Sequence, residues 1–335
     1  MSKQPAKFAA ATAVYLGLAI YLYWPYVRYF APMQYILLVN CPLAALGAFA
    51  LSRRWVYHFW GRSLAGALYG FGPFVLGLAR YHPTAGLLAA AVPWFFCPAA
   101  LAARPGRKWL QALLSAVPFL AVGLLFEALA YLRLFPVPLQ NRLTPAELTG
   151  LAVPLALAQR NLDTIGFYHI PLAALIIGIS LLFAGRRFGI MSIFVGGTAL
   201  AFCPPVLNIS PLIWLTVPVL VCSILAGVGL QSLLSAGHAD RKWVLSAAFV
   251  LAVLALVTIL ASRGYLHLGP LTEPTDLTIL LQSSKLYLVG SIAVTIIYFL
   301  ASIRLRMYSL RLAILGSAMA VDIFFGAGFI IDRMF

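Results

Sequence analysis

Long apolar runs separated by short polar loops dominate the sequence. A bilayer core about 30 Å thick is crossed by a helix of roughly 20 apolar residues, with about 17 to 25 tolerated. We expect each run of this length with few or no charges to be a helix, because lipid cannot satisfy free backbone N–H and C=O groups. Eleven such runs are present: 8–24, 32–51, 63–79, 83–103, 109–131, 168–184, 188–206, 211–235, 243–262, 286–303 and 309–331. The pattern predicts an all-α, polytopic transmembrane bundle that forms a single integral membrane domain over residues 1–335.

The basic residues between these runs predict an orientation, because cytoplasmic loops are enriched in Lys and Arg. With the N-terminus placed in the cytoplasm, 15 basic residues fall on the inner side and 8 on the outer side. All four dense doublets are then cytoplasmic: Arg53-Arg54, Arg107-Lys108, Arg186-Arg187 and Arg241-Lys242. We therefore expect the N-terminus inside and the C-terminus outside, in a membrane of the bacterial cytoplasmic (inner) type.

The N-terminal segment has the charged-then-apolar order of a signal sequence. Lys3 and Lys7 precede the first apolar run, but no small-x-small cleavage site follows it. Because cleavage needs such a site, we expect the first helix to be retained.

Two predicted outer loops are longer than the others. In residues 132–167, Thr144, Pro145 and Glu147 fit a helix-capping box. The apolar stretch that follows, 145–159, is too short to span, so we expect a helix lying in the outer interface. In residues 263–285, the segment "TEPTDLTILLQSSK" is predicted to begin a helix that continues into the span 286–303.

Composition supports membrane lipid as the main partner and argues against nucleic acid. Hydrophobic residues make up 63% of the chain, charged residues make up 9%, and the mean hydropathy is +0.98. The formal charge of +15 would suggest nucleic-acid binding in a soluble protein, but here the basic residues cluster in short loops between spans. The four cysteines lie in apolar stretches without CxxC or Cys/His spacing, so neither a disulfide framework nor structural zinc is predicted.

Two acidic residues inside predicted spans are the strongest indications of function in the sequence. Asp322 lies in the middle to outer part of the span 309–331, and Glu127 lies in the outer third of 109–131. An ionised side chain there costs at least a few kcal/mol unless it is paired or hydrated. Each acid is therefore a candidate proton relay or cation ligand. The alternative is a structural ion pair with an outer arginine such as Arg28, Arg80 or Arg133, or a hydrogen bond to another helix.

Three cysteines directly precede proline: Cys41-Pro42, Cys97-Pro98 and Cys203-Pro204. A thiolate beside a proline kink is a candidate ligand for Cu(I). However, counting along the spans at about 1.5 Å per residue puts the three thiols at different depths. Packing of small cysteines at kinked helices is the competing interpretation.

Three histidines, His82, His169 and His267, fall on the predicted outer face and could form an open zinc-type site. They come from separate segments without ligand spacing, so we interpret them as interfacial anchors and predict no metal site. Gly66 and Gly70 form a GxxxG pattern in the span 63–79, which predicts a close helix contact.

Three functions remain open at this stage, and the sequence specifies no cofactor. The first is a transporter of a small solute or lipid-linked molecule, with Asp322 and Glu127 supplying the coupling. The second is a non-catalytic membrane subunit that docks protein partners in a larger complex. The third is an outer-face enzyme acting on a lipid or glycan, in which arginines such as Arg80 and Arg133 bind phosphate. The absence of recognisable catalytic motifs favours the two non-enzymatic functions.

Overall fold

The fold is known from a computed structural model, which describes part of the chain. The described residues are 4–81, 83–102, 117–118, 120–121, 123–125, 150, 169–184, 188–204, 211–266, 274–303, 307–332 and 334–335. Within these ranges the regular structure is entirely helical, and they contain no strand.

The described helices carry the labels used below. They are α1 (Gln4–Tyr23), α2 (Leu37–Ser52), α3 (Phe59–Gly70), α4 (Pro73–Tyr81), α5 (Pro83–Ala102), α6 (His169–Ala184), α7 (Phe188–Phe202), α8 (Pro211–Trp214), α9 (Thr216–Ser235), α10 (Arg241–Ser262), α11 (Pro274–Ser302) and α12 (Tyr308–Ile331). Short 3-10 helices cover Trp24–Tyr29, Pro32–Ile36 and His238–Asp240.

Six helical segments in the described part are long and apolar enough to cross a membrane: Pro5–Tyr29, Gln34–Ser52, Pro211–Ser235, His238–Ser262, Leu277–Ser302 and Tyr308–Ile331. They correspond to the first, second and last four of the predicted spans. Shorter apolar helices, Ala85–Cys97, His169–Leu181 and Ile190–Phe202, lie within three more. Most of the predicted span 109–131 and all of the predicted interfacial helix 145–159 except residue 150 lie outside the described residues.

The predicted span 63–79 is divided into two helices. α3 ends at Gly70, two residues form a bend, and α4 begins at Pro73. A Cβ on Gly72 would lie 2.1 Å from the carbonyl oxygen of Leu68, so this bend requires glycine. Proline suits the first position of α4 because its missing N–H has no intrahelical partner there. The sequence also predicted that a helix begins in residues 263–285 and continues into the span 286–303. This prediction is confirmed, because α11 begins at Pro274 and runs without a break to Ser302.

Backbones approach closely where glycines face neighbouring helices. A Cβ on Gly66 or on Gly70 would lie 2.5 Å from a carbonyl oxygen of α2, belonging to Ala45 and Cys41 respectively. The close contact predicted from GxxxG is therefore confirmed. Between α6 and α9, Gly178 and Gly229 leave room in the same way for backbone carbonyls of the facing helix.

The central helix of the described bundle is α9. In the most apolar window of 211–235, 89% of the residues are buried, compared with 22% in 5–29. α9 is therefore enclosed by protein, whereas α1 exposes most of its apolar surface.

Side-chain contacts identify the two ends of the bundle. At the end that we call the Arg311 end, Nη1 of Arg311 donates to the carbonyl oxygen of Ala236, 2.6 Å away, just after α9. Oε1 of Gln231 accepts hydrogen bonds from the backbone N–H groups of Tyr57 and His58 at the same end. The start of α12, the end of α9 and the loop before α3 therefore lie together. The cytoplasmic location of this end stays a prediction.

At the opposite end, which we call the Phe335 end, the C-terminus packs on the segment after α1. The Tyr26 hydroxyl donates to Oδ1 of Asp332 at 2.5 Å. The Phe335 ring stacks on Tyr26 and on Phe30, with centroids 5.2 and 5.0 Å apart. The two described chain ends, at Gln4 and Phe335, therefore lie at opposite ends of the bundle.

Candidate functional site

Asp322 and His169 form a buried pair between α12 and α6. Nδ1 of His169 contacts Oδ1 of Asp322, and both side chains have no exposed surface. The structural alternatives from the sequence were an ion pair with an outer arginine or a hydrogen bond to another helix, and the carboxylate contacts the imidazole of another helix. His169 was expected on the outer face, and instead it lies inside the bundle.

The second oxygen of the carboxylate caps the start of α6. The backbone N–H of Ile170 donates to Oδ2 of Asp322 at 3.2 Å. The first N–H groups of a helix have no intrahelical acceptor, and the helix dipole favours negative charge at this end. Pro171, in the same turn, has no N–H and so adds no unsatisfied donor. Asp322 therefore performs, from another helix, the role of an N-cap side chain.

α11 supplies the third side of the site. A Cβ on Gly290 would lie 2.0 Å from Cδ2 of His169, so the imidazole rests directly against the α11 backbone. Tyr287, one turn earlier on the same face, is 2% exposed and interacts electrostatically with Asp322. Nε2 of His169 has no hydrogen-bond partner within the described part of the chain.

The pair lies deep within the bundle. Asp322 is nine residues before the end of α12 and fourteen after its start, so it lies about 14 Å from the Phe335 end and about 21 Å from the Arg311 end. The described part of α6 starts at this depth, where the backbone N–H of Ile170 is bonded to Asp322.

The three cysteines that precede proline do not come together. The thiol of Cys41 is buried 3.8 Å from the Tyr23 hydroxyl, and that of Cys97 is 3.9 Å from the carbonyl oxygen of Gly47. Cys203 is exposed. In the described ranges, no three His, Cys, Asp or Glu side chains are grouped so that they could hold a metal ion.

The remaining candidates from the sequence are Arg80 and four residues that the structure does not describe. Arg80 lies half-buried in the last turn of α4. The other candidates, Glu127, His82, His267 and Arg133, lie outside the described residues. The role of Glu127 in coupling and the interpretation of His82 and His267 as interfacial anchors therefore stay predictions.

Comparison of the chain with protein-family models, with curated proteins and with solved structures found no significant match. The description of the protein therefore rests on its own fold and site. An all-helical structure with several apolar helices of membrane-spanning length fits a multispanning integral membrane protein.

Proposed function

We propose that the protein is a proton-coupled transporter of a small solute or lipid-linked molecule, with Asp322 and His169 as its coupling pair. The observation that carries the proposal is the buried carboxylate–imidazole contact between two helices. Removing ionisable groups from water costs several kcal/mol each unless they are paired, so such groups inside membrane proteins are functional candidates by default.

The chemistry of the pair suits proton coupling. Imidazole is the side chain whose unperturbed titration lies nearest neutral pH, and a contacting carboxylate can share or receive its proton. Adding or removing a single proton changes the pair between charged and neutral forms. Because Asp322 also holds the start of α6, a change in its charge alters the attraction between α12 and the N-terminal dipole of α6.

Two helices of the bundle have breaks in their backbone hydrogen bonding at which they could bend. Pro42 lies inside α2, where it removes one backbone hydrogen bond, and the bend at residues 71–72 separates α3 from α4. In this conformation Asp322 has no exposed surface, so the proposed cycle requires the helices around it to separate. We assign the described conformation to an occluded state of the transporter.

A transport assay with matched aspartate variants tests the proposal. The purified protein is reconstituted into vesicles that contain a pH-sensitive dye, and a panel of sugars, amino acids, nucleosides and organic anions is added outside. We expect at least one solute to cause acidification that is lost in Asp322→Asn. The control is Asp332→Asn, which removes an exposed carboxylate ten residues further along the same chain. Transport that is equal in the two variants, or no coupled solute in the panel, counts against the proposal.

The sealed packing of the pair favours a second candidate, a non-catalytic subunit that docks partner proteins. Asp322 and His169 are 0% and 1% exposed, and their contacts tie three helices together, as a purely structural clamp would. Purification from native membranes in mild detergent, followed by mass spectrometry, distinguishes the candidates. A stable, stoichiometric partner would favour the docking subunit, and isolation of the protein alone would favour the transporter.

A further inference from the structure

A row of hydroxyl groups on α11 leads to the buried pair. Ser283, Tyr287 and Gly290 are spaced by four and three residues, so they lie on one face of the helix. Ser283 and Tyr287 are each 2% exposed, although both carry a hydroxyl. α11 therefore turns a polar, buried stripe toward the interior of the bundle.

One end of this row meets the Asp322–His169 pair. Gly290 lies against the ring of His169, and the buried Tyr287, on the same face one turn earlier, lies within electrostatic range of Asp322. At the other end, the hydroxyl oxygen of Ser283 has no hydrogen-bond partner within the described ranges. A buried hydroxyl without a partner costs free energy, and it can both donate and accept a proton.

The row also reaches the level of an exposed charge on α11. Lys285 is exposed, and a lysine on a membrane helix extends its charged end along the helix toward the lipid headgroups. Ser283 lies half a turn beyond Lys285, toward the Phe335 end. From Ser283 to Gly290 the helix rises only about 10 Å. The stripe therefore leads from the pair toward the Phe335 end of α11, level with this exposed charge.

We propose that Ser283 and Tyr287 form the proton pathway between the Phe335 end and the Asp322–His169 pair, an inference that rests on the proposed function. A proton that arrives at Ser283 releases the proton of this hydroxyl toward Tyr287, and the phenol passes its own proton to the pair. Each hydroxyl ends with one proton, the pair gains one, and the surrounding water loses one.

Other titratable side chains surround the two helices that carry the pair. On the remaining helices packed against α6 and α12, the buried or half-buried ones are Lys7, Tyr15, Tyr23, Arg80, Cys222, Arg241 and Tyr298. Tyr298 shares the face of α11 used by Tyr287, but it lies eight residues beyond Gly290, toward the Arg311 end. It therefore provides a control for the direction of the pathway.

Time-resolved infrared spectroscopy on the protein in vesicles tests the pathway without a transported solute. A jump from about pH 8 to about pH 5 spans the range in which histidine sites titrate. The carboxyl band that appears in the wild type and is missing in Asp322→Asn reports proton uptake by the pair. We expect Ser283→Ala and Tyr287→Phe to slow this band by at least about tenfold without changing its final amplitude. Ser283→Thr, which keeps the hydroxyl, should restore the rate.

Two control variants separate a pathway from general effects on α11. Ser284→Ala removes an equally buried hydroxyl that already bonds to the carbonyl oxygen of Leu281 in its own helix, and Tyr298→Phe removes the more distant phenol. Both should show the wild-type rate. Wild-type rates in Ser283→Ala and Tyr287→Phe, or slowing in Tyr298→Phe instead, would overturn the pathway. If wild-type Asp322 takes up no proton at all, the proposed coupling function itself is overturned.

Discussion

Replacing Gly290 with alanine should destabilise the protein through His169. The new Cβ would lie 2.0 Å from Cδ2 and 2.8 Å from Cγ of the imidazole. The ring has little freedom to retreat, because its Nδ1 contacts Asp322 and the whole side chain is buried. Forcing an extra methyl group into a packed interior costs about 1 to 3 kcal/mol.

Part of that cost is offset by helix propensity, since alanine is favoured over glycine inside a helix by about 1 kcal/mol. Gly316 in α12 is the matched control, because a Cβ there meets no atom within 4 Å. Gly316→Ala keeps the gain in propensity and avoids the crowding. The free energies of unfolding of the two variants should therefore differ by about 1 to 3 kcal/mol, with Gly290→Ala the less stable.

Equilibrium unfolding in mixed detergent micelles, followed by tryptophan fluorescence, measures these free energies. The same two glycine substitutions are also made in a His169→Ala background. Because the crowding atoms belong to the imidazole, Gly290→Ala should cost at least about 1 kcal/mol less there. Equal stability of the two glycine variants in the wild-type background, or an unchanged cost without the imidazole, would refute the reasoning.

Three further predictions concern other contacts of the fold. Asp322→Ala should lower the free energy of unfolding by about 3 to 5 kcal/mol, because it leaves His169 buried without its partner. Asp322→Asn keeps a hydrogen-bond acceptor and should lower it less. Equal losses of the two variants in the same unfolding assay would contradict this. Arg311→Met should lower the free energy of unfolding by about 1 to 3 kcal/mol, because buried carbonyl groups at the end of α9 lose their hydrogen-bond donor. An unchanged unfolding curve would contradict a stabilising role of Arg311. In single-cysteine variants, a maleimide reagent should label the exposed Cys203 in the folded protein and the buried Cys41 only after unfolding, and labelling of both at similar rates would contradict the packing.

The helices were largely predictable because lipid and water impose different requirements on the chain. Apolar runs of sufficient length predicted the six long helices and the start of α11 ahead of the span 286–303. The division between α3 and α4 was not predictable in this way. Both halves and the bend are apolar, so no change in hydrophobicity marks Gly72 as the break. Only its close approach to the Leu68 carbonyl shows why the helix stops there.

Of the residues that form the candidate site, the sequence singled out Asp322 as functionally important. Asp322 stood out because an acid inside an apolar span must be paired or hydrated. Its pairing with His169 had no sequence signal, since the two residues lie in distant segments and the histidine stands at the edge of its apolar run. Gly290 and Tyr287 carried no signal either, because glycine and tyrosine are common in membrane helices for other reasons.

The sequence by itself determined that this chain forms apolar helices of membrane-spanning length and that one of them carries an acid requiring a partner. These are properties of single segments, and the free energy of transfer from water to lipid decides them locally. The tertiary structure alone decided that the partner is His169, that the carboxylate caps α6, and that α11 approaches closely enough to enclose the pair. Such contacts depend on the packing of whole helices against one another, and packing depends on shape complementarity between residues that lie far apart in the sequence.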